Sequence, residues 1–349
     1  MNSTRSTITG TDAVAHAARA IPPEVFLGEH GDAVRPITSP AITVQSLRAL
    51  RLEANLRVLQ IGTGSGYEAA LMAHAVGPGG HVLTIDADET LTRRAGDLFA
   101  AHGHGAIAAT GDPMAGHAGR APYDRIVVHG TPAAIPTAWI DQLAPGGTLV
   151  TGAAVSDLPG TDAVAHITKT PWGDRDVTVH AGHHPALTAA TQTAALAPDA
   201  NIVTAHDDSG YWLASTSGDP DDAADLLAAL RTGAEEPWPG GPGEFLDLKH
   251  WLLARRPAGL FTTVTEHGEG IGIGARAPRS TGLAARPDGP PEAAMITPTR
   301  LVANPQLSLP RARFLDLIAD WRAEGAPATH ELTAVIMHDS DGYRVRFQD

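Results

Sequence analysis

The sequence predicts an α/β protein: a doubly wound, largely parallel sheet over residues 1–195, followed by an α+β module over residues 196–349. Three observations carry this. Short apolar runs alternate with helical stretches through the first half, the pattern of a sheet covered by helices. A glycine-rich turn joins the first clear strand directly to a helix. The rhythm then breaks at TAATQTAALAPDAN (188–201), small, polar and Ala-rich, which reads as a linker.

The elements follow in order. RVLQI (57–61) reads as a buried strand and YEAALMAHAVG (67–77) as a helix stopped by Gly77-Pro78-Gly79-Gly80. HVLTID is the second strand, ETLTRRAGDLFAAHG a helix ending at Gly103, IAATGD a third strand and YDRIVVHG a fourth. PTAWIDQLAPGG (136–147) reads as a helix with a glycine corner leading into the strand TLVTGA. Beyond the linker come the strand YWLAST, a helix over 221–230, the loop EEPWPGGPGE and the helix EFLDLKHWLLARRP. The strands LFTTVTE and GIGIGARA, the helix RARFLDLIADWRAEG and the hairpin HELTAVIMHDSDGYRVRF complete the chain. No internal repeat is visible.

Composition narrows the function. An apolar content of 43% over 349 residues is enough for two cores. A net charge of −14 argues against a nucleic-acid or anionic-membrane surface, while leaving a locally basic pocket open. The absence of cysteine removes disulfides, thiolate nucleophiles and Cys-based zinc sites together. With no signal-like apolar stretch near residue 1 and no apolar run of about 20 residues, the expectation is a cytoplasmic protein without a membrane partner.

The strongest chemical signal is Gln60-Ile61-Gly62-Thr63-Gly64-Ser65-Gly66-Tyr67, placed between a strand and a helix. Glycines there let the backbone approach a ligand without interference from a Cβ. Asp86, followed by Ala87, closes the second strand 20 residues after Gly66 (86 − 66), the place from which an acid accepts ribose hydroxyls. Asp112, after Gly111 at the end of the third strand, is placed to hold an adenine amino group. The glycines run G-x-G-x-G rather than G-x-G-x-x-G, which points to S-adenosylmethionine and leaves a nicotinamide oxidoreductase as the alternative. His129, at the end of the fourth strand, faces the cleft, where it either touches substrate or is a satisfied structural histidine.

Taken as a set, VLQIGTGSGYEAALMAHAVGPGGHVLTIDAD, GD, APYDRIVV, IP and QLAPGGTLV resemble the protein-L-isoaspartate O-methyltransferases in order and spacing. Val25-Phe26-Leu27 and Pro36-Ile37-Thr38-Ser39-Pro40 resemble that family's substrate loop, and HHPAL (183–187) its closing strand, so the likeness spans roughly residues 20 to 190. It implies a Rossmann-like class I methyltransferase fold and transfer of a methyl group to an aspartyl or isoaspartyl carboxylate of a peptide or protein. The ester can then close to a succinimide. It implies that Thr38 or Ser39 supplies the hydroxyl that orients the carboxylate, with Ile37, Pro40 and Arg35 beside it.

Departures from the family pattern sharpen the reading. Position 60, usually acidic in the family, is Gln here, and Thr38 stands where serine is usual. The module beyond the linker resembles the extended members associated with ribosomally made lanthipeptides, lasso peptides and graspetides. That implies methylation of an aspartate in a cyclised precursor peptide, followed by aspartimide formation. Repair of isoaspartate in damaged proteins is the alternative, and a non-catalytic peptide-binding protein is a third reading motivated by Gln60 and Thr38. His180, His183 and His184 carry metal-ligand chemistry, but alternate strand residues face opposite ways, so no metal is expected. Trp212, Trp238, Trp251 and Trp321 are candidates for a peptide groove, with Trp251 and Trp321 at core spacing on helices.

Overall fold

A computed structural model describes residues 10–27, 40–182, 184, 187, 202–216, 220–276 and 289–348. The candidates Arg35, Ile37, Thr38, Ser39 and His183, together with the whole expected linker (188–201), lie outside the described residues.

Three short helices open the chain, α1 (Gly10–Ala20), α2 (Glu24–Leu27) and α3 (Pro40–Ala49). Pro40 at the start of α3 suits a position whose N–H has no helical partner. Strand and helix then alternate: β1 (Arg57–Ile61), α4 (Tyr67–Val76), β2 (His81–Asp86), α5 (Glu89–His102), β3 (Ala106–Thr110) and β4 (Tyr123–Val128). After the short α6 (Thr137–Asp141) come β5 (Leu143–Ala154), β6 (Asp162–Lys169) and β7 (Arg175–His180). The seven strands lie in the order β3-β2-β1-β4-β5-β6-β7. Pairing is parallel from β3 through β5 and antiparallel across β5, β6 and β7. The winding reverses between β1 and β4, so this is the expected doubly wound core, extended by an antiparallel edge.

Both faces of the parallel strands are covered, which explains their near-continuous apolar sequence. On one face Val58, Val82, Val127 and Val150 pack with α1, α3, α4 and α5. On the other, Leu59, Ile61, Leu83, Ile85, Ile126 and Val128 join Trp139 and Ile140 of α6. Local signals end the helices where expected. Asp88 caps α5 through its side chain, accepting from Thr90 N at 2.8 Å, and Gly103 closes it with φ 68°.

Two local readings need correction. The helix expected over 136–147 stops at Asp141, and Leu143 already pairs with Tyr123. Pro145 lacks an N–H and Gly146 takes φ 79°, so the segment becomes a bulged lead-in to β5 rather than helix. In HHPAL, the described residues His184 and Leu187 lie outside any strand, and the sheet's edge is β7 instead.

The second seven-stranded sheet is built from β8 (Val203–His206), β9 (Trp212–Ser215), β10 (Ala234–Pro237), β11 (Leu260–Thr265), β12 (Gly268–Arg276), β13 (Pro291–Ile296) and β14 (Arg300–Asn304). Its order is β10-β14-β13-β12-β11-β9-β8, and every pair is antiparallel. Helices α7 (Pro220–Arg231), α8 (Pro242–Arg255) and α9 (Leu309–Ala323) pack on it. The loop expected at EEPW begins instead as β10, an edge strand without an apolar alternation to announce it, where Pro237 is tolerated. In β12 Gly270, Gly272 and Gly274 face crowded neighbours: a Cβ on Gly272 would stand 2.2 Å from Ala294 O and 2.6 Å from the Phe261 ring.

The hairpin of β15 (Ala334–Asp339) and β16 (Gly342–Phe347) returns to the first sheet, with Tyr343 N and O exchanging 2.8 Å hydrogen bonds with Ile135. One apolar cluster therefore runs from Trp139 and Leu149 through Tyr343, Val345 and Phe347 to Leu248, Trp251, Phe314 and Trp321. Trp238, Trp251 and Trp321 are buried, and each indole N–H donates to a fixed partner: Pro298 O, Glu324 Oε2 and Pro327 O respectively. They are core residues, not a peptide groove. Among the described residues no helix is long and apolar enough to cross a membrane.

Candidate functional site

The carboxyl ends of β1, β2, β3 and β4 converge at the point where the winding reverses, the usual place for a ligand in an open α/β sheet. The turn after β1 is shaped by its glycines. Gly62 has φ 92° and Gly64 φ 50°, and a Cβ added to either would meet nothing within 4 Å. Backbone there borders open space. Gly66 differs: with φ 85°, a Cβ would stand 3.0 Å from Ala95 Cβ, so this glycine lets α4 pack on α5.

Asp86 holds the turn in place. Its Oδ2 accepts from Thr63 N at 2.8 Å and its Oδ1 from Asp88 N at 3.1 Å. A carboxylate has about four lone-pair sites, so acceptor capacity remains for ligand hydroxyls. Asp112 Oδ1 accepts from Met114 N at 2.9 Å and caps the 3-10 turn Pro113–Ala115, and Gly111 N donates to Asp86 O. Both acids thus stand beside the glycine turn. Ala87, exposed, lies on the same rim.

Not every residue of the motif faces this space. Thr63 is buried, and its hydroxyl meets Thr84 Oγ1 at 3.0 Å, so it offers the site its backbone alone. Tyr67 is buried with its ring 5.8 Å from that of Phe26. Ser65 Oγ accepts from Tyr67 N at 3.2 Å, tying down the start of α4. These three shape the turn from behind.

Gln60 is buried, and its Nε2 donates to Glu68 Oε2 at 2.9 Å while its Oε1 has no partner among the described residues. An orphaned buried acceptor at a strand end is costly unless a ligand donor reaches it. Register places His129 on the same sheet face as Gln60: Gln60 pairs with Val127, two residues earlier. His129 Nε2 stands 2.8 Å from Glu68 Oε2 but off the line of its N–H, a contact of charge more than an aligned hydrogen bond. Burial opposes a charge on His129, but the Glu68 carboxylate outweighs it and raises the imidazole pKa. The ring stacks on His184 at 5.5 Å.

Sequence reasoning named Gln60 and His129 but missed Glu68, which joins them. The available signal was the missing charge at position 60, with Glu68, the second residue of α4, the next acid along the chain. Arg94 was also missed: from α5 its guanidinium donates to Ser65 O at 3.2 Å and Phe26 O at 2.6 Å, fastening the glycine turn to α2.

The described histidines fall into separate ring contacts. The His180 ring meets that of His166 at 4.3 Å, tilted by 42°, and stacks on that of His330 at 5.7 Å, while His184 goes with His129. Among the described residues no group of three His, Asp or Glu side chains is placed to hold one.

Against known proteins, residues 2–169 match the family described as protein-L-isoaspartate(D-aspartate) O-methyltransferase. A protein-L-isoaspartate O-methyltransferase of Ignicoccus hospitalis is 36% identical over 173 residues, 46% of this chain and 81% of that protein. One of Azorhizobium caulinodans is 40% identical over 115 residues, 33% of this chain and about half (52%) of that protein. A solved protein-L-isoaspartate O-methyltransferase aligns over 96% of this chain and 94% of its own, at 18% identity and a TM-score of 0.46.

Proposed function

The chain belongs to the protein-L-isoaspartate O-methyltransferase family, and on that premise we propose that it methylates an isoaspartyl carboxylate of a protein or peptide, with S-adenosylmethionine as donor. The observation that carries the reading is the open glycine turn clamped by Asp86, beside the orphaned acceptor of Gln60.

S-adenosylmethionine, when bound, supplies a methyl group on a positively charged sulfur. The residues present fit it. Backbone at Gly62 and Gly64 can approach closely, Asp86 has acceptors for ribose hydroxyls, and Asp112 stands where an adenine amino group needs one. Gln60 Oε1 is the acceptor for the ammonium group, and the Glu68 carboxylate behind it supplies the negative charge that Gln60 lacks. A substrate carboxylate is already ionised at neutral pH, so the site needs no strong base. Transfer would join its oxygen to the methyl carbon at the expense of the bond to sulfur, giving a methyl ester and a neutral thioether. The protein's task is to align the groups and exclude water. Thr38 or Ser39 orients the carboxylate, with Arg35 and Ile37 beside it, and Pro40 fixes the end of that loop at the start of α3. His129, whose pKa the Glu68 carboxylate raises, would meet an approaching carboxylate.

A second reading is methylation of an ordinary aspartate in a cyclised ribosomal peptide, followed by closure to an aspartimide. The specific observation in its favour is the second sheet, which lies beyond the matched residues 2–169. In that reading residues 1–195 carry the chemistry and 196–349 grip the peptide.

Mass spectrometry of peptides incubated with enzyme and S-adenosylmethionine tests both. The panel holds a linear isoaspartyl peptide, its aspartyl twin and a macrocyclic aspartyl peptide. A gain of one methyl on the isoaspartyl peptide supports the first reading. A methyl gain followed by loss of methanol on the macrocycle alone supports the second. No transfer to any peptide would sink both.

A further inference from the structure

A second depression begins at His129. A groove of about 830 Å³ runs from His129 across the exposed face of β5, β6 and β7. Register lays out its floor as three rungs. Arg125, Thr148, Thr168 and Asp176 form the first, Val127, Val150, His166 and Thr178 the second, and Val164 and His180 the third, with His129 just beyond the end of β4. At about 4.8 Å per strand, four strands make a floor roughly 14 Å across, enough for several residues of an extended peptide. One wall comes from α3 and the turn after it, ending in Arg51, and the other from His330.

Its electrostatics run against those of the whole molecule. The chain carries a net −14, yet Asp176 is the only acid among the described residues that line the groove. Two guanidiniums face it. That of Arg125 donates to the main-chain carbonyls of Leu50 at 2.7 Å and Asp124 at 2.8 Å, which hold its charge in position, with the Asp124 and Glu53 carboxylates within electrostatic reach but no ion pair to Arg125 among the described residues. Arg51 is exposed on the rim, within electrostatic reach of His166 and His180. Burial first, then His180 and Arg51, press His166 down to about 4, so its imidazole is a neutral donor and acceptor at pH 7. The guanidiniums supply the charge.

We infer that this groove binds an acidic segment of the substrate, a run of Asp or Glu residues flanking the carboxylate to be methylated. The inference rests on the methyltransferase reading for what happens at the His129 end, but its binding half can be measured without turnover.

The experiment uses the whole chain and three fluorescein-labelled hexapeptides, of glutamate, of lysine and of alternating glycine and serine, read by fluorescence anisotropy. Hexaglutamate should bind, more weakly as salt rises, and the other two should not. Arg51→Gln should weaken hexaglutamate roughly two- to fivefold, the worth of one exposed ion pair, and Asp176→Asn should strengthen it by a similar factor. Circular dichroism should report both variants folded. Equal binding of the glycine–serine peptide, or indifference to both substitutions, overturns the inference. A second arm compares isoaspartyl peptides with acidic and with neutral flanks in a methylation assay. Equal turnover of the two refutes the groove's role while leaving the methyltransferase standing. Binding of hexaglutamate with no methylation of any peptide refutes the proposed reaction and leaves the groove standing.

Discussion

Asp86 is the residue on which most of the cofactor reading turns, and replacing it separates two roles that the structure gives it. Its Oδ2 accepts from Thr63 N at 2.8 Å and its Oδ1 from Asp88 N at 3.1 Å, so the side chain holds the glycine turn before any ligand arrives. In Asp86→Asn one oxygen survives and can keep one of these bonds, while the charge and half of the acceptor sites are lost. A hydrogen bond to a charged group is worth about 1.5–3 kcal/mol. Losing one such bond to a ribose hydroxyl should weaken binding roughly ten- to two-hundredfold. Asp86→Ala removes every acceptor and the brace on the turn, and the loss should exceed that of the Asn variant by at least another factor of about ten. Calorimetric titration with S-adenosylhomocysteine, which cannot react, measures the affinity. Thermal melting run alongside should show both variants folded, because Asp86 lies outside the apolar clusters. If the Asn variant binds within twofold of the native protein, the carboxylate does not touch the cofactor and the assignment fails.

Four further outcomes follow from particular contacts. Glu68→Gln should lower the His129 pKa, because Glu68 is what raises it against burial. The native ion pair contributes stability below the unfolded value of about 6.5 and loses it as pH rises through the raised one; an unchanged midpoint in an NMR titration of His129 would refute this. Gly66→Ala forces a Cβ into φ 85° and to 3.0 Å from Ala95 Cβ, at a cost of roughly 1–2 kcal/mol in urea unfolding; no loss would mean that α4 and α5 can separate freely. His250, fully buried, is held down to about 4, by burial first and then by Lys249. A depressed histidine contributes stability above about pH 6.5 that is lost as pH falls toward 4, here about 3 kcal/mol. Urea unfolding at pH 7 and 4.5 should show that loss, and His250→Gln should reduce it. Phe347→Ala opens a cavity where the last strand joins both sheets and should cost about 3–5 kcal/mol by the same assay, whereas a loss below about 1 kcal/mol would mean that β16 is not part of the shared core.

The parallel half of the fold was legible because its signals are local. A run such as RVLQI followed by glycines, or an apolar helix ending at Gly77, needs no distant partner to be read. Elements fixed by a remote neighbour were not. β10 carries exposed charges and becomes a strand only because β14 offers it an edge, and the 136–147 segment leaves the helix because Leu143 finds Tyr123 across the sheet. The site divides in the same way. Gly62, Gly64, Asp86 and Asp112 were readable because chain direction and strand ends dictate where they stand. That Thr63 and Tyr67 turn inward depended on Thr84 and Phe26, which no spacing announces.

By itself the sequence determined the βαβ rhythm, the glycine turn with its two following acids, and the family likeness that they carry together. Tertiary structure alone decided that Glu68 stands between Gln60 and His129, that Arg51, Arg125 and His330 share one groove, and that β16 packs on the first sheet. The reason is physical: backbone conformation responds to neighbouring residues along the chain, whereas charge pairing and burial depend on distances in space, which only the folded chain sets.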